Sequence, residues 1–140
     1  MEYEVKVDSD GTKKWYLAGI LHREDGPAVE WVDGYKEWYI NGTRHRDIGP
    51  AIIYPCGSKE WYTDGLLHRE GGPAIENSNG SKYWYKAGFL HREDGPAAEY
   101  FNGHKGWFLN GELISKNQWF ERLPEDSKIK ALFDESIVKR

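Results

Sequence analysis

Leu21-His22-Arg23-Glu24-Asp25-Gly26-Pro27-Ala28 decides the fold, because the chain says it again. The same words return as His45-Arg46-Asp47-Ile48-Gly49-Pro50-Ala51, as His68-Arg69-Glu70-Gly71-Gly72-Pro73-Ala74 and as Leu90-His91-Arg92-Glu93-Asp94-Gly95-Pro96-Ala97. Each step is 23 residues, with no insertion. Trp15, Trp38, Trp61, Trp84 and Trp107 keep the same interval, each followed by a ring (Tyr16, Tyr39, Tyr62, Tyr85, Phe108) and preceded two residues earlier by a lysine (Lys13, Lys36, Lys59, Lys82, Lys105). Two glycine series share it, one from Gly11 to Gly103 and one from Gly19 to Gly111. Self-similarity at a fixed interval marks a tandem-repeat protein.

Each unit reads as β structure. Lys-x-Trp-Tyr favours a strand, since rings suit a pleated surface. Ala18-Gly19, Asn41-Gly42, Asp64-Gly65, Ala87-Gly88 and Asn110-Gly111 are hairpin turns. A return strand such as Ile20-Leu21-His22-Arg23 ends at Gly-Pro, because proline cannot donate to a ladder. The chain resumes through Ala28-Val29-Glu30-Trp31-Val32 and turns at Asp33-Gly34 into the next unit. Two registers fit the first turn. A two-residue type I′ loop sets Trp15 opposite His22; a three-residue loop with a glycine bulge sets it opposite Leu21. The Ala-Gly copies favour the second, since alanine resists positive φ.

Composition bounds the rest. The 140 residues suit one domain, and no run of eighteen apolar residues offers a membrane span. Met1-Glu2-Tyr3-Glu4 lacks the basic and apolar parts of a secretory signal, so a cytoplasmic location is expected. One cysteine, Cys56, excludes a disulfide framework and a multi-cysteine zinc site. The net charge of −4 argues against general nucleic-acid coating. Ten of the 21 aromatic residues and ten of the 16 glycines fall in these repeat columns.

The Trp, Gly and His columns, at Trp15, Gly19 and His22 and every 23 residues onward, are similar to the core of MORN repeats, which are serial β-hairpins. The Leu-His-Arg-Glu-Asp-Gly-Pro-Ala variant, at 21–28 and 90–97, resembles a repeat of small phage, viral and bacterial proteins. The resemblance covers roughly residues 3–114 and implies a hairpin-repeat fold. It departs from MORN in lacking Tyr-x-Gly before the tryptophan and in placing arginine after the histidine.

The expected architecture is mainly β. Residues 1–114 form an elongated antiparallel hairpin sheet of about four and a half units, and residues 115–140 a helical C-terminal cap. One hairpin cannot bury both its faces, so units stack, at about 9.6 Å per unit. Tyr3 to Val7 reads as an edge strand, with Lys6, Asp8 and Asp10 discouraging further pairing. After Gly111 the pattern changes: Ser115 and Gln118 form a capping box, a short helix stops at Pro124, and a second helix over 125–138 carries Ile129, Leu132, Phe133 and Ile137 on one face. Capping of the last unit is the plain expectation for these helices, and docking or dimerisation the sharper one.

Four histidines at fixed spacing suggest metal binding only superficially, since neighbours about 9–10 Å apart cannot share one ion. Each is expected to hold the neighbouring turn through a ring hydrogen bond. The arginine column is expected to pair with the acid that follows it. With the histidines it offers an alternative site, at His22, Arg23, His45, Arg46, His68, Arg69, His91 and Arg92, for an anionic ligand such as a nucleotide signal. The lysine column would add to that site if both lay on one face.

Catalytic motifs do not occur in the sequence, and the polar groups come in near-identical copies rather than one singular constellation. The expectation is a non-enzymatic binding protein without cofactor or metal. Its concrete form, drawn from the resemblance, is a phage- or mobile-element-encoded inhibitor that occupies a host protein. Shared columns serve structure, so partner contacts are sought where copies diverge, at Trp31, Tyr35, Arg44 and Tyr54. An open sheet with rings on both faces also admits a homodimer.

Overall fold

The computed structural model describes residues 2–134. Among them the chain forms 18 short strands and then two helices. Twelve of the strands make one elongated antiparallel sheet, running in sequence order from Tyr3–Val7 to Glu112–Ile114.

Each interior unit contributes to two ladders, and its tryptophan is the pivot between them. In the second unit Lys36–Glu37 pairs with Val29–Glu30 on one side and Ile52–Ile53 on the other. Tyr39–Ile40 leaves that sheet and pairs with Thr43–Arg44. Between them, the Trp38 N–H donates to the Ala51 carbonyl in the main sheet at 2.8 Å, while its own carbonyl accepts from His45 in the hairpin at 3.2 Å. Trp61 and Trp84 do the same. In the first and last units the strand runs unbroken, as Lys13–Leu17 and Lys105–Leu109. Successive hairpins are tied by backbone bonds as well, Gly42 to Leu21, Gly65 to Arg44, Gly88 to Leu67 and Gly111 to Leu90, each 2.8 Å.

The hairpin register corrects the expectation from alanine. Tyr16 faces Leu21 and Leu17 faces Ile20, which puts Trp15 opposite His22. The loop has two residues, Ala18 at φ 52° and Gly19 at φ 79°, a type I′ geometry. Ala87 adopts φ 49°, indistinguishable from Asn41 and Asn110 at 50° and Asp64 at 49°. Left-handed alanine costs about 1–2 kcal/mol. Two gains offset it: the primed turn matches strand twist, and an extra residue would take each histidine out of step with the next turn.

The sheet has two unlike faces, since side chains alternate along a strand. The pairings align Lys13, Glu30, Lys36, Ile53, Lys59, Glu76, Lys82, Glu99 and Lys105 on one face. Lys14, Val29, Glu37, Ile52, Glu60, Ile75, Tyr83, Ala98 and Gly106 lie on the other. The most buried column is neither Trp nor Tyr. Ala28, Ala51, Ala74 and Ala97 are fully buried; the first three bond both neighbours through the backbone, as when Ala51 donates to Glu60 and accepts from Trp38, and Ala97 accepts from Trp84. The repeat tryptophans are partly buried.

At the far end a helix takes the place of a sixth unit. Ile114 stands in the histidine column, opposite Trp107. Helix α1, Lys116–Arg122, opens on the Ser115–Gln118 capping box. It drives Trp119, fully buried, against Trp107 with ring centroids 4.6 Å apart. Trp119 also donates its indole N–H to the Arg92 carbonyl at 2.7 Å. Leu109, Ile114, Trp119, Leu123 and Ala131 form one core, so the helices cap the array as expected. Helix α2, Glu125–Phe133, departs from its expected packing: it buries Ala131, while Ile129, Leu132 and Phe133 are exposed. It follows α1 across Leu123 and Pro124 alone, and that tight connection turns its small side inward. Ile137 lies outside the described residues.

Candidate binding surface

The histidine and arginine columns are engaged within the fold. Each histidine accepts, at Nδ1, the backbone N–H of the first turn residue of the next unit. Asn41 donates to His22 at 2.8 Å, Asp64 to His45 at 3.1 Å, Ala87 to His68 at 2.9 Å and Asn110 to His91 at 3.0 Å. A nitrogen that accepts carries no proton, so the imidazole proton resides on Nε2. There it meets the acid two residues on: Asp47 at 2.6 Å, Glu70 at 2.9 Å and Glu93 at 2.8 Å. His22 differs, being buried beneath Tyr3 with Glu24 at 3.7 Å. The pair with His91 and a bond from Ser127 hold the Glu93 carboxyl below its usual range.

Those acids were expected to pair with arginine, and in the structure they pair with histidine. Each guanidinium lies over the tryptophan ring of its own unit: Arg23 on Trp15 and Arg46 on Trp38 at 3.9 Å, Arg69 on Trp61 and Arg92 on Trp84 at 3.8 Å. Each donates through Nη1 to the carbonyl of the Gly-Pro step, at 3.0–3.1 Å. The acid partners are Asp25 and Asp94, two residues on, and Glu30, Glu76 and Glu99, seven residues on. The arginines do reach the lysine face, but glutamates interleave with those lysines. Shallow grooves between successive His-Arg turns, of about 400, 510 and 560 Å³, are lined by as much carboxylate as guanidinium. Among the described residues no group of three or more His, Cys, Asp or Glu is arranged to hold a metal ion.

The divergent residues do come together. Trp31 and Tyr35 flank the Asp33-Gly34 turn, with ring centroids 4.8 Å apart, and Tyr54 from the next unit meets Tyr35 edge-on at 5.4 Å. All three belong to the face that carries Val29, Glu37 and Ile52, two residues away along their strands. Glu37 and Glu60, missed by the sequence reading, organise this surface. Glu37 is buried and accepts from the Tyr39 hydroxyl at 2.8 Å and from Arg44 at 2.9 Å. Glu60 accepts from Tyr54 at 3.0 Å and Tyr62 at 2.9 Å. Their signal stood inside the motif itself, where the x of Lys-x-Trp is Lys14, Glu37, Glu60, Tyr83 and Gly106 in turn.

Burial, then the neighbouring carboxylate, pushes Tyr54 and Tyr62 up to about 12. Tyr35 and Tyr39 rise for the same two reasons. Burial works against the Arg44 charge, and Glu37 and the surrounding rings more than compensate, so its guanidinium sits above the ordinary arginine range. The outcome is a set of rings locked by their own hydroxyls, with Trp31 49% exposed at its margin.

Neither a family model nor a curated protein matches the chain. No helix among the described residues is long and apolar enough to cross a membrane.

Proposed function

We propose that the chain is a non-enzymatic binding protein whose contact surface centres on Trp31, Tyr35 and Tyr54, with Arg44 beside them. The observation that carries this reading is the contiguous ring set at 4.8 and 5.4 Å, built from positions where the units differ. Tyrosine rings held by carboxylates lose little freedom on binding, and Trp, Tyr and Arg are the residues that most often anchor interfaces. The repeated polar groups satisfy one another along the array, which supports binding over catalysis. The partner is a protein. In the concrete form suggested by the resemblance to phage and bacterial repeats, a phage- or mobile-element-encoded chain occupies and inhibits a host protein in the host cytoplasm. A nucleotide-like anion is less well served, because the three grooves between the His-Arg turns already hold carboxylates.

A photo-crosslinking residue in place of Trp31, activated in cells of the host, tests this. One dominant protein adduct, lost on Tyr54→Ala and kept on His68→Ala, is expected. Adducts only to a second copy of the chain would make the surface a dimer interface, and no adduct at all would defeat the reading.

A further inference from the structure

The lysine face of the sheet carries a second, independent feature. Across the strands lysine and glutamate alternate as Lys13, Glu30, Lys36, then Lys59, Glu76, Lys82, Glu99 and Lys105, with Ile53 where a glutamate would fall between Lys36 and Lys59. Each glutamate present has a lysine opposite on both neighbouring strands, and an arginine of its own unit reaches it. Arg69 Nη1 meets Glu76 at 2.9 Å, Arg92 Nη1 meets Glu99 at 2.8 Å and Arg23 Nη1 meets Glu30 at 3.5 Å.

In the second unit the arrangement is intact except for the acid. Arg46 lies on Trp38 at 3.9 Å and donates to Pro50 at 3.0 Å, as its counterparts do. It has no carboxylate within ion-pair distance among the described residues, because both acid positions are isoleucine: Ile48 where Asp25 and Asp94 stand, and Ile53 where Glu30, Glu76 and Glu99 stand. Burial without a counter-charge holds Arg46 below the ordinary arginine range. Ile48 is 88% exposed beside it. Arg46 therefore borders a position, held by Ile53 with Lys36 and Lys59 opposite it in register, that three sister units fill with a carboxylate.

We propose that this gap is a docking site for a carboxylate side chain on an acidic segment of a partner protein, in which an apolar neighbour covers Ile48. The incoming acid completes the arrangement that the other units complete internally. A carboxylate fits better than a phosphate: the sister sites accommodate one singly charged planar acceptor, and isoleucines offer none of the extra donors a dianion needs. The site faces away from the Trp31 surface, so neither proposal depends on the other.

Fluorescence anisotropy with a short labelled peptide of alternating leucine and glutamate tests this, with the leucine–glutamine peptide as control. Binding that weakens with salt is expected for the glutamate peptide alone. Ile53→Glu installs the acid of the sister units and should weaken binding about tenfold or more. Glu76→Ile, which recreates the gap between Lys59 and Lys82 at Arg69, should add a second equivalent of bound peptide. The proposal is overturned by no binding, by equal binding of both peptides, or by an Ile53→Glu protein that binds like the original. Displacement by inorganic phosphate but not by equal acetate would also overturn it, by assigning the site to phosphate.

Discussion

Unit two and unit four are built on the same frame and hold their arginines differently. Arg92 stacks on Trp84 and bonds Pro96, Asp94 and Glu99. Arg46 stacks on Trp38 and bonds Pro50, and no carboxylate among the described residues pairs with it. Stacking and the carbonyl bond are therefore enough to place a guanidinium, and the carboxylates are an addition that a unit can omit. The same contrast separates the buried aromatic-face acid Glu37, which matches Arg44 internally, from the open cation Arg46 two residues beyond it in the chain.

The largest expected effect tests that contrast directly. Arg92→Ala should lower unfolding free energy by about 3 kcal/mol, since it removes charge-assisted bonds and the stack together, whereas Arg46→Ala should cost about 1–2 kcal/mol. Equal losses in urea denaturation would show the carboxylates to be idle. Next, Ala51→Val and Ala97→Val should each cost about 1–3 kcal/mol, and the two should agree, because this fully buried column is common to both units. A large disagreement in melting temperature would mean that the frame itself differs. Smaller still, Ala87→Asn should stabilise and Asn41→Ala destabilise by about 0.5–1 kcal/mol, both residues standing at positive φ in equivalent turns.

The smallest effect on stability, and the clearest in reactivity, concerns Cys56. Asp10, Asp33, Asn79 and Asn102 occupy its column, and each accepts the backbone N–H two residues on at 3.0, 3.0, 2.9 and 3.1 Å. Cys56 stands in an acceptor's place, and hydrogen bonding with the Ser58 side chain, 3.3 Å away, and with its backbone brings the thiol down to about 7. Its alkylation rate by iodoacetamide should rise with pH to half its plateau near pH 7, as the thiolate forms. Ser58→Ala should move that midpoint upward, while Cys56→Asp should leave the melting temperature unchanged or slightly higher.

Much of this was legible in the chain. The 23-residue interval announced hairpins, Gly-Pro announced where return strands stop, and Ser115 with Gln118 announced the cap. The four divergent residues were legible as candidates because they break the columns. Three things were not. The acids Glu37 and Glu60 looked like ordinary strand residues until the tyrosines were seen to converge on them. The choice of arginine rather than histidine for Glu30, Glu76 and Glu99 needed contacts seven residues apart. The outward face of α2 depended on how closely it follows α1.

By itself the sequence determined the period, the strands, the turn positions and the covered end, because each rests on local chemistry: proline's missing donor, glycine's freedom, a serine cap. Only the tertiary structure decided register and face. A slip of one residue exchanges the two sides of every strand, and what opposes it is the bond each repeat histidine accepts from a turn 19 residues away. With that register set, Ile53 ceases to be one more apolar strand residue and becomes the missing acid between two lysines.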